Sequence, residues 1–61
     1  MKTFEIFVSA SYTTDGGTVE SNCFKEYIEA KTVAEAKRIL RASLKADGYK
    51  NIKMDEPIEV C

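Results

Sequence analysis

The sequence contains no histidine and no tryptophan. The first absence removes the commonest general base and the commonest nitrogen ligand for a metal ion. Cysteine occurs only twice, at Cys23 and Cys61. Two thiols so far apart lack the paired spacing of a zinc site, and they fall short of a disulfide framework. Proline occurs once and glycine three times, too few for a linker or a low-complexity segment. No stretch approaches the roughly 18 apolar residues of a membrane span. The opening "MKTFEIFVSASY" alternates polar and apolar residues where a secretory signal would carry a continuous apolar run. These gaps point away from an enzyme, a metal site, a cofactor or a membrane, and toward a cytoplasmic protein with free thiols.

What is present suits a folded chain. Of 61 residues, 44% are hydrophobic and 31% charged, a balance that disordered segments do not reach. The length allows one small domain, residues 1–61, with a modest core, and small cores are often completed by oligomerisation. Net charge is −1, which argues against a general nucleic-acid binder but leaves room for a local basic patch.

Lys2 to Tyr12 alternates strictly, with Phe4, Ile6, Val8, Ala10 and Tyr12 on one side. A period of two is a strand with one buried face. "TTDGGT" follows, and Asp15-Gly16-Gly17 tolerates the positive φ of a hairpin turn. A second strand runs from about Val19 to Ala30. A three-residue loop pairs Thr14 with Thr18, which sets Val8 opposite Phe24 and Phe4 opposite Ile28. A two-residue loop would set the same residues against Lys25 and Glu29, and a one-residue slip turns every side chain to the other face. The three-residue loop with a glycine bulge is therefore expected, at the cost of turning Glu26 inward near Ile6. Glu26 then sits at the sheet margin or is turned out by a bulge.

"KTVAEAKRILRASLKADGY" reads as a helix from Thr32 to Asp47. Thr32 and Glu35 form a capping box. Val33, Ala36, Ile39, Leu40, Ser43 and Leu44 make an apolar stripe for the sheet, and Gly48 stops the helix with Tyr49 folded back over the last turn. In "NIKMDEPIEV", Ile52, Met54, Ile58 and Val60 share a parity, so a half-buried strand is expected. Pro57 marks an edge position or a break after Met54. The order is ββαβ. A right-handed crossover then gives an α+β fold: a three-stranded antiparallel sheet, order 2-1-3, with one helix packed on one face. "FEIFV", a hairpin, "EAKTVAEAKRIL" and "IKMDE" are similar to the general pattern of small ββαβ proteins such as archaeal ribosomal protein LX. The likeness concerns the fold alone, and the charge of −1 departs from the basic character of such ribosomal proteins.

For chemistry the sequence offers little. "TTDGGT" lacks the G-K-[ST] ending and following helix of a phosphate loop. Asp55, Glu56 and Glu59 cluster, and alternation sets Asp55 and Glu59 on one outward side as a solvated acidic end. Cys23 faces outward beside Ser9, with only Lys25 near it to activate a thiol. Two surfaces remain. The sheet face away from the helix carries Phe7, Tyr27, Lys25 and Lys53, beside Glu5, Ser9, Cys23 and Asn51. Such a face suits a protein partner or a homodimer, stacks bases as sheet-based RNA readers do, or simply exposes two aromatics. The helix carries Lys37, Arg38, Arg41 and Lys45 on one flank. Their mutual repulsion points to an anion or nucleic-acid contact, while a solvated face explains them more simply. The expectation is a small, non-enzymatic accessory module. It works by self-association or an inhibitor-like protein contact through the open sheet face, as phage or plasmid accessory proteins do. Nucleic-acid binding through the basic helix flank is the alternative.

Overall fold

A computed structural model describes residues 1–60; Cys61 and its expected free thiol lie outside the described residues. Five elements follow in order: β1 (Lys2–Thr13), β2 (Val19–Ala30), α1 (Val33–Ala46), β3 (Lys50–Met54) and β4 (Ile58–Glu59). The strand order is β2-β1-β3, with β4 continuing along β1 beyond β3, and every pairing is antiparallel. The helix packs on one face, giving the expected α+β arrangement.

The hairpin keeps one register from Lys2↔Ala30 to Thr13↔Val19 without a bulge. The turn explains why. The Thr14 amide donates to the Thr18 carbonyl at 2.8 Å, and the Gly17 amide donates to the Thr14 carbonyl at 2.9 Å. Gly17 sits at φ +83°, the left-handed position that closes a three-residue hairpin loop. Phe4, Ile6, Val8 and Ala10 of β1 are consequently all buried, with Phe24 and Ile28 of β2 packed against them. Glu26 lies opposite Ile6 and is half-buried. No bulge turns it away: β2 is an edge strand, so the side chain reaches water over the sheet margin.

Thr32 caps the helix, accepting from the Glu35 amide at 3.1 Å. The Glu35 carboxylate answers one residue further back than a standard capping box, accepting from the Lys31 amide at 3.2 Å. At the other end Gly48 has φ +93°, the Gly48 amide reaches the Lys45 carbonyl and the Tyr49 amide the Leu44 carbonyl, both at 3.0 Å. This 6→1 and 5→2 pair is a Schellman stop. It turns Tyr49 back onto the core, where its ring meets Tyr12 edge-on and Phe24 at a tilt, each with centroids 5.7 Å apart. The helix buries Ala36, Leu40 and Leu44, with Val33 half-buried. The expected stripe is too wide by two residues: Ser43 is exposed and Ile39 is 41% exposed. The sheet is only three strands across, and the helix flank that carries these two overhangs its β2 edge.

The last segment departs from its expected parity. Val8 pairs with Met54, but Phe4 pairs with Glu59 and Glu5 with Ile58. One extra residue therefore lies between Met54 and Ile58. Pro57, which cannot donate to a ladder, is buried there, and the chain beyond it is turned over. Ile52 and Met54 face the helix as expected, whereas Ile58 is 53% exposed and Val60 is also exposed. A second shift between Ser9 and Ser11 accompanies Asn51 at φ +52°, a conformation asparagine tolerates better than most residues.

The core is small, and three of its eight buried residues are alanines. A chain this short holds together by roughly 3–9 kcal/mol, so single core positions matter. Leu40→Ala is expected to cost about 2–5 kcal/mol and to lower the Tm by roughly 10 °C or more, measured by circular dichroism. The Tyr12 hydroxyl donates to the Glu20 carboxylate at 2.6 Å. That bond, and then the charge of Glu20, raise the Tyr12 pKa above 10.0. A raised phenol pKa favours the neutral form in the folded state, so its contribution is present at and below neutral pH and is lost as pH rises through the folded value. Ultraviolet titration should show one tyrosine ionising late, and Glu20→Gln should return it toward the ordinary range.

Candidate interaction surfaces

The face away from the helix is built by the odd-numbered residues of the hairpin. Their side chains are sent outward by the same register that sends Phe4, Ile6 and Val8 inward. Phe7 is 47% exposed and Tyr27 is 55% exposed. Lys25, directly opposite Phe7, lies between the two rings, its Nζ 5.8 Å from the Phe7 centroid and 5.6 Å from that of Tyr27. Both distances suit a cation over an aromatic face, worth about 0.5–1 kcal/mol when exposed. Glu5 holds this group from below: it accepts from the Tyr27 hydroxyl at 3.1 Å and stands 3.9 Å from Lys25. Glu5 thus ties the Tyr27 hydroxyl and the Lys25 ammonium together, with Lys25 beside both rings.

Ile58 and Val60 join this face. The shift at Pro57 sets Ile58 beside Glu5 in the ladder, and Glu5 is the residue opposite Tyr27. The Val60 amide continues the pairing, donating to the Thr3 carbonyl at 2.9 Å. The parity reading of the sequence missed both residues. The signal that could have found them was Pro57, whose break in the ladder makes an unbroken parity beyond it unsafe. On the other side of Phe7, a shallow concavity of about 560 Å³ is lined by Phe7, Cys23, Lys25, Lys53 and Asp55, among others. Lys53 stands opposite Ser9, on the expected face, and Cys23 is exposed beside it across β1. Phe7, Tyr27, Lys25 and Lys53 therefore share one surface.

The acidic cluster does not hold together. The Asp55 amide donates to the Phe7 carbonyl at 2.9 Å, which sets Asp55 on the open face. Glu59 lies opposite Phe4, on the helix side of the sheet, and pairs with Lys2 at 3.6 Å. Glu56 reaches Lys37 at 3.3 Å. The expectation that Asp55 and Glu59 share one side is overturned by the same extra residue before Ile58. Among the described residues, no three cysteine, aspartate or glutamate side chains converge on a point that would hold an ion.

The helix flank divides in two. Lys37 is half-buried and bound to Glu56. Arg38, Arg41 and Lys45 are exposed, and none lies within ion-pair distance of a carboxylate among the described residues. No helix in the described residues is long and apolar enough to cross a membrane. The likeness to small ββαβ ribosomal proteins therefore rests on element order alone: comparison with protein-family models, with curated proteins and with solved structures gave no match.

Proposed function

We propose that this protein acts by binding rather than by catalysis, as a small accessory module whose open sheet face docks on a protein surface. One observation carries this reading: Phe7, Tyr27, Ile58 and Val60, all exposed, project from the side of the sheet that the only helix of residues 1–60 leaves bare. Isolated exposed apolar residues are ordinary. Here several share one face, interleaved with Lys25 and Glu5 and flanked by Lys53 and Asp55, a mixed apolar and charged surface of the kind that protein contacts use. The bond from the Tyr27 hydroxyl to Glu5 restrains that ring before any partner arrives, which lowers the ordering cost of docking. The occupant is a second copy meeting the face or an unlike protein held in an inhibitor-like contact. On this reading the protein works in the cytoplasm, where Cys23 stays a thiol.

Phe7→Ser with Ile58→Ser is the informative variant, because both side chains are outside the core. The folded double variant is expected to lose affinity by roughly 30-fold or more for whatever protein the immobilised wild type captures, or for itself. Unchanged association, with the circular dichroism spectrum preserved, would sink the reading.

A second reading has its own support in Arg38, Arg41 and Lys45, three exposed cations without a carboxylate partner among the described residues. They suit phosphates of DNA or RNA, with Lys37 at the margin because Glu56 already holds it. Anisotropy with labelled duplex DNA and with single-stranded RNA at low salt checks this. Binding should weaken with a log–log salt slope near about −2 to −3 and disappear in Arg38→Glu/Arg41→Glu/Lys45→Glu. No binding at low salt removes it.

A further inference from the structure

The two margins of the sheet are built differently. One is broken: β3 is five residues long, its register shifts at Asn51, and Pro57 interrupts the ladder before the two residues of β4. Those are the devices by which proteins blunt a sheet edge. The other margin is β2, twelve residues without a proline, without a register shift, and paired on one side only.

The hydrogen-bond phase says which groups it offers. Thr14 bonds directly to Thr18, so the even-numbered residues of β2 exchange their bonds with β1. Phe7 and Thr3 accept from Asp55 and Val60 on the opposite side, in agreement with that phase. The amides and carbonyls of Ser21, Cys23, Lys25, Tyr27 and Glu29 therefore point out from the β2 edge.

We infer that this edge pairs with a second copy of the chain, β2 against β2, antiparallel about a two-fold axis perpendicular to the sheet at Tyr27. The register follows from charge. Centring the axis on Lys25, Glu26 or Glu29 sets that charge against itself, and centring it on Cys23 sets Glu20 against Glu26. An axis at Asn22, Phe24 or Ile28 opposes no charged pair within the strand. Only the axis at Tyr27 opposes unlike charges within the strand: Lys25 meets the partner's Glu29 on both sides of the axis, and Tyr27 meets its own copy in a mutually bonded position. Glu26, half-buried in each copy, lies opposite the partner's Ile28 and stays open to water over the groove beside Leu44 and Tyr49.

The helix layer agrees independently. Lys37 reaches Glu56, so its flank overhangs the β3 side. Ile39 is about 200° further round the helix, on the β2 side, and is 41% exposed. Pairing at β2 puts both helices on one side of a joined sheet, with their Ile39 flanks turned toward each other. It also joins the two open faces into one continuous surface. The edge and the face share Lys25 and Tyr27, but Glu29 belongs to the edge alone and Phe7 and Ile58 to the face alone, so the two fail separately.

Sedimentation velocity with reductant, over a wide concentration range, reads the dimer, and amide hydrogen exchange reads its register. The Lys25, Tyr27 and Glu29 amides should exchange fast when dilute and slowly when concentrated, while those of Phe24, Glu26 and Ile28, bonded to β1, stay slow throughout. Lys25→Glu or Glu29→Lys alone should weaken association by roughly tenfold or more, and the two together should restore it. Phe7→Ser/Ile58→Ser should leave the edge dimer intact, which separates this result from the docking reading. A monomer at every concentration would overturn the inference. So would a dimer whose three outward amides stay fast, a folded double swap that stays dissociated, or a dimer abolished by the face variant.

Discussion

The turn from Thr14 to Thr18 sets the register of the long hairpin, and the rest of the structure depends on that register. Gly17 in the left-handed region fixes a three-residue loop, and every pair down to Lys2↔Ala30 follows in phase. The phase decides which side chains meet the helix. It also decides which backbone groups face outward from β2, because side-chain direction and hydrogen-bond direction alternate together in an antiparallel ladder. A slip of one residue would exchange Phe4, Ile6 and Val8 for Glu5, Phe7 and Ser9 in the core.

One helix covers one face of a three-stranded sheet and no more. Leu40 and Leu44 are buried against the sheet, while the helix flanks leave Ile39 exposed on one side and let Lys37 reach Glu56 on the other. The small core that results is what a chain of this length can build. The uncovered face and the unpaired β2 edge follow from the same shortage of secondary structure.

The fold was legible because its signals are local. The alternation of β1, the glycines of the turn, the Thr32 cap and the Gly48 stop each act within a few residues, and they agree with one another. The open face was legible through Phe7, Tyr27 and Lys25, within strands whose register the turn had set, and through Lys53, whose side follows from its parity against Ile52 and Met54 in β3. Ile58 and Val60 were not, since parity counting assumes an unbroken ladder and Pro57 breaks it. The acidic cluster failed for the same reason: Asp55 and Glu59 stand on opposite sides of the sheet because one residue between them is unpaired.

By itself the sequence determined the order of elements, the hairpin register, both helix ends and the absence of imidazole chemistry, since each depends on residue type and near neighbours. Only the tertiary structure decided how far the helix stripe is buried, that Lys37 is tied to Glu56 while Arg38, Arg41 and Lys45 are free of carboxylates among the described residues, and that Ile58 stands beside Glu5 across from Tyr27. Those outcomes depend on how wide the sheet is beneath the helix and on where a bulge falls between strands distant in sequence, which no local pattern specifies.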